Sequence, residues 1–155
     1  MKKLITIIVL TLCTSVTFAQ DFSDLANQKL KKVDSYKPAE TKVLECVNYL
    51  FETPFDKNDL NRAVAQAYII QWMTGTPDHS FALDSNAMEL TKGSTDLFAL
   101  FMAAMTKVVL EQPNQKLSNE AIYKQAEALL VSYCSDSNNK LKPSKKIKKL
   151  IKATE

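Results

Sequence analysis

The sequence predicts an all-α fold, a compact bundle of about five to six helices in one domain. Three observations carry that expectation. Helical hydrophobic periodicity recurs along nearly the whole chain, no alternating run flanked by hairpin turns interrupts it, and several apolar stretches open on helix-capping residues. The chain has 155 residues, 46% hydrophobic and 24% charged, with Gly 2 against Pro 5, which excludes collagen-like, low-complexity and fully disordered classes.

The first element is a secretory signal. Lys2 and Lys3 form a basic n-region, Leu4 to Leu12 an apolar core, and Thr17-Phe18-Ala19 a small-residue cleavage site. Residues 1–19 are therefore expected to be removed, with export through the Sec pathway to a periplasmic or extracellular location. The apolar stretch is shorter than the ~20 residues that span a bilayer, and Leu12 before Cys13 does not suit lipidation. Loss of Cys13 leaves Cys46 and Cys134, and an even count in an exported chain predicts one disulfide. That bridge would close a loop of about 89 residues and contribute about 4–5 kcal/mol by restricting the unfolded chain. Two buried, unpaired thiols are the alternative.

Residues 21–32 read as a short, weakly amphipathic helix with Phe22, Leu25, Ala26 and Leu30 on one side. Pro38 suits a first helical turn, followed by Val43, Leu44, Val47, Leu50 and Phe51 as a core stripe with Cys46 at its edge. Pro54 ends that helix. The next opens on Asp56 as N-cap, with Phe55 and Leu60 as a hydrophobic staple, and runs to about Met73, where Gly75 is placed to terminate it. A turn-rich segment, residues 74–80, precedes a short helix near Ser85 to Lys92. Ser94 or Thr95 then caps a helix, Leu97 to Leu110, that is wholly apolar up to Thr106 and Lys107 and too short to be a membrane span. Leu117, Ser118 and Ile122 repeat the staple and cap before a helix through about Cys134.

Residues 135–139 read as a polar linker between a helical domain, residues 20–139, and a lysine-rich tail, residues 140–155. The domain carries a net charge of −5 and the tail +6. From Pro143 the tail reads as a basic amphipathic helix, with Ile147, Leu150 and Ile151 on one face and lysines elsewhere. Lys145, Lys146, Lys148, Lys149 and Lys152 are candidate contacts to an anionic membrane surface, against the plainer reading of a solubilising tail docked on the protein's own acidic surface. A single arginine, Arg62, and no aromatic in the basic segment argue against nucleic acid as a partner.

Enzyme signatures are missing. With two glycines there is no phosphate loop, and no Gly-x-Ser-x-Gly elbow, His-Glu-x-x-His or close cysteine pair occurs, so no catalytic residue, metal ligand or cofactor is expected. The acid pairs Asp56/Asp59 and Glu40/Glu45 sit where helix starts and solvent favour acids anyway. The single histidine marks a candidate partner or ligand loop of Trp72, Asp78, His79 and Phe81, residues that serve equally to shape a turn and pin it to the core. A second candidate is an apolar groove of Met73, Phe98, Phe101, Met102 and Met105, residue types that more often fill cores.

In layout, the cleaved signal, helical body, early and late cysteines and lysine-rich end resemble the small periplasmic acid-stress chaperones of the HdeA-like kind, although this chain is longer. The resemblance implies a periplasmic binding role and transfers no functional residue. The expected function is thus that of an exported, non-enzymatic helical protein that binds a protein partner or an apolar small molecule. A surface-associated factor held on anionic lipid by its tail, or a small periplasmic chaperone-like protein, are the alternatives.

Overall fold

The computed structural model describes residues 21–154, which contain six α-helices and no strand. The signal, Cys13 and the cleavage site lie outside the described residues. The helices are α1 (Tyr36–Glu52), α2 (Leu60–Gly75), α3 (Ser85–Leu90), α4 (Thr95–Leu110), α5 (Asn119–Ser135) and α6 (Lys145–Thr154). The apolar α4 is the centre. It packs against α1 and α2 on one side and α5 on the other, and buries Leu97, Leu100, Phe101, Ala104, Met105 and Val108. Ser94 starts it by accepting from Leu97 N–H, and Ser118 does the same for α5 at Ala121 N–H.

The start of α2 departs from the sequence expectation. Asp59, not Asp56, is the N-cap: one carboxylate oxygen accepts from Arg62 N–H and the other from Tyr49 Oη at 2.6 Å. Asp56 instead closes a local turn by accepting from Asn58 N–H. With the helix starting three residues later, Leu60 becomes its first residue and is 80% exposed, so the staple with Phe55 does not form.

The N-terminal segment is not one helix. A 3-10 turn covers Ser23–Asn27, and the chain beyond it runs extended because α2 side chains hold its backbone. Asn61 Oδ1 accepts from Phe22 N–H, and Gln71 accepts from Leu30 N–H and donates to Gln28 O. Extension turns Leu30 inward beside Phe22 and Leu25 and leaves Ala26 exposed. Tyr36 completes this corner: its hydroxyl donates to Leu30 O, and its carbonyl accepts from Trp72 Nε1. Gly75 lies so close that a Cβ there would fall 1.9 Å from Tyr36 Oη.

Cys46 and Cys134 are free thiols, both buried, and the expected disulfide is absent. Geometry gives the reason. α4 lies between the two helices that carry them. Tyr133, next to Cys134, meets α1 at its C-terminal end, where its ring packs on Phe51 and its hydroxyl donates to Thr53 O, and Cys46 lies about 10 Å of helix axis before Thr53. A disulfide needs Cα atoms within about 7 Å. Burial also makes these thiols unreactive, pushing the pKa of Cys46 up to about 12 and that of Cys134 up to about 11.

The chain between α5 and the tail is structured. Asp136 caps a 3-10 turn, Ser137–Asn139, and Lys140 adopts a left-handed conformation that redirects the chain. Asn139 O accepts from Phe55 N–H, tying this turn to the α1–α2 connection. Helix α6 begins two residues after Pro143, capped by Ser144, whose hydroxyl accepts from Ile147 N–H and donates to Leu90 O. Ile147 is fully buried, with Leu150 and Ile151 half-buried, against α5 and α3. The tail is thus held by apolar contact and a cap. Among the described residues no α6 lysine forms an ion pair, so an acidic surface is not what docks it.

Candidate functional site

The loop between α2 and α3 folds back on the end of α2. Trp72 is fully buried, and its ring takes His79 at 5.6 Å and Phe81 at 6.2 Å between centroids. Of the four loop candidates, Trp72 and Phe81 therefore anchor the loop, while His79 and Asp78 border a cleft. The sequence placed the loop but not its partners, which come from residues distant in the chain.

The cleft has a volume of about 660 Å³ and runs from the first turns of α1 to the turn between α4 and α5. Lys37 and Glu40 of α1, with Asp78, His79 and Ser80, form one wall. Asn114, Gln115, Lys116 and Asn119 form the other, over a floor that includes Val109, Leu110 and Ile122. Glu40 is half-buried: Oε2 pairs with Lys37 Nζ at 2.8 Å, while Oε1 is enclosed without a hydrogen-bond partner, 4.0 Å from His79 Nε2. The Glu40 carboxylate, accepting a hydrogen bond and bearing the opposite charge, raises the pKa of Lys37 above the ordinary lysine value. The polar group placed against the His79 ring is thus a carboxylate, and Ser80 lines the same cleft. Such an arrangement can bind and orient polar groups.

The five groove candidates do not share one surface. Phe101 and Met105 are fully buried in α4, and Met73 and Met102 are half-buried against the core. Phe98 alone borders an open cleft, opposite Met88, which is 59% exposed. Residue type at helical spacing cannot separate a groove from a core, and here the spacing mostly follows the core.

One residue passed over in the sequence is Arg62, buried on the first turn of α2. It donates to Leu50 O at 2.9 Å, Thr53 Oγ1 at 3.2 Å and Tyr133 Oη at 3.3 Å, with its guanidinium 5.5 Å from the Phe55 ring. These contacts sit at the C-terminal end of α1, where the helix dipole favours a cation. Arg62 joins α1, α2 and α5 and serves the fold. Its status as the only arginine was the available signal, read only as an argument against nucleic acid.

No group of three or more His, Cys, Asp or Glu side chains among the described residues is placed to hold a metal ion, and no described helix is long and apolar enough to cross a membrane. The chain matches no protein-family model, no curated protein and no solved structure.

Proposed function

We propose that this chain is exported through the Sec pathway and acts as a non-enzymatic helical binding protein whose partner is a protein segment seated in the cleft beside His79. The observation that carries this reading is the cleft itself. Its volume falls in the range that accepts a small ligand or a few side chains. Its walls mix lysines, carboxylates, amides and one histidine over a short apolar floor, a lining suited to a polar peptide segment more than to a lipid tail. The anchoring of the loop on Trp72 supports a preformed site that binds without large rearrangement.

Native mass spectrometry of protein exported by a bacterial host tests this. A retained polypeptide mass that disappears when Lys116→Glu crosses the cleft is the expected result. Turnover in an activity screen that vanishes in His79→Ala would overturn the reading, as would a partner mass indifferent to cleft substitutions.

A further inference from the structure

Helix α6 carries Lys145, Lys146, Lys148, Lys149 and Lys152, all exposed, within ten residues. At about 100° per residue these lysines fan over an arc of about 160°, while Ile147, Leu150 and Ile151 occupy about 100° on the opposite side. The apolar side is already used: Ile147 is buried, and Ser144 fixes the helix to Leu90 O. The lysine face therefore points straight away from the body.

That face is costly to the fold. The i,i+3 and i,i+4 spacings set lysine beside lysine, as at 145/149 and 148/152, and Lys145 and Lys146 stand at the end of the helix where its dipole disfavours cations. Among the described residues no carboxylate pairs with these lysines, although residues 20–139 carry a net charge of −5. A local conflict that no described side chain compensates points to an anion outside the fold. The shape of the face selects the kind of anion. It is a convex ridge about 10 Å long that borders none of the described clefts, so it suits a flat array of phosphates and not a single small ion.

We infer that α6 is a membrane-docking ridge that holds the protein on an anionic phospholipid surface through its lysines, with its apolar side still packed on α5 and α3. The acidic body is repelled from the same surface, which fixes a single orientation with the body outward. Binding is electrostatic and without insertion. This inference stands independently of the cleft.

Flotation of the chain from Gln20 onward with vesicles tests it, using phosphatidylcholine alone and phosphatidylcholine with roughly a third of phosphatidylglycerol. The expected result is co-flotation only with the anionic vesicles at ~50 mM salt, released at ~500 mM. Replacing the five α6 lysines by glutamine should lower the partition coefficient on the order of a hundredfold or more. An unchanged melting temperature would show that the variant folds; if it does not fold, the single substitutions Lys146→Gln and Lys149→Gln should each lower partitioning severalfold. Equal flotation of parent and variant, binding that persists at high salt, or retention on polyglutamate without any affinity for anionic vesicles would each overturn the inference.

Discussion

The two ends of α1 are built on opposite principles. At its C-terminal end, Arg62 fills the junction with α2 and α5 and donates to Leu50 O, while Asp59 joins Tyr49 to the start of α2. At its N-terminal end, Glu40 keeps one oxygen unpartnered and faces a histidine across an open cleft. Each end leaves one buried polar atom unpartnered, Arg62 Nε and Glu40 Oε1, but the first sits inside a set of hydrogen bonds that joins three helices and the second borders the cleft. Stability is therefore expected to be concentrated at the closed end, where the bonds joining three helices converge, and not at the end that borders the cleft.

Arg62→Ala should have the largest effect. It leaves Leu50 O, Thr53 and Tyr133 facing a cavity, at a cost of about 4 kcal/mol, a loss of more than about 10 °C in Tm by calorimetry. A loss below about 1 kcal/mol would show that the closed end is not where stability resides.

Alkali should attack the same end. Burial raises Cys46 from an ordinary 9.0 to about 12 and Cys134 from 9.0 to about 11, while burial and the Asp59 carboxylate raise Tyr49 from 10.0 to about 12. Below pH 9 both folded and unfolded chains keep these protons and stability is complete. As pH rises from about 9 towards 12 the unfolded chain releases protons that the folded chain retains, so stability falls through that window. Urea midpoints measured against pH should show this decline, and Cys46→Ala with Cys134→Ala should flatten its first part.

Tyr133→Phe removes a hydroxyl that donates to Thr53 O at 2.7 Å and accepts from Arg62, and should cost about 1 kcal/mol by chemical denaturation. At the open end, His79→Ala should cost less than about 1 kcal/mol, the value of a half-buried ring contact. A cost matching that of Arg62→Ala would erase the contrast between the two ends. The smallest expected effect is that of a reducing agent, which should leave both intact mass and Tm unchanged because the thiols are already free.

What could be read in advance follows from range. Ser94, Ser118 and the apolar run of α4 act within a few residues of themselves, so the sequence shows them directly. Two acids three residues apart, Asp56 and Asp59, offer the same local cap, and only Tyr49, ten residues away, decides between them. Cysteine counting conveys number but not distance, hence the absent disulfide. The turn composition around His79 is local and legible, whereas Glu40, brought in from another helix, has no sequence signature. The tail's amphipathic pattern is equally visible, but which surface occupies its apolar side is settled by Ser144 and Leu90, 54 residues apart.

The seat of Arg62 has a bearing on the medium the protein meets. Its guanidinium rests on a main-chain carbonyl, two hydroxyls and aromatic faces, and none of its own hydrogen-bond acceptors is a carboxylate. Acidification discharges the carboxylate partners that buried arginines ordinarily take, but it adds no proton to a carbonyl or a phenol across the biological range. The clasp that joins three helices keeps the same acceptors in acid as at neutrality.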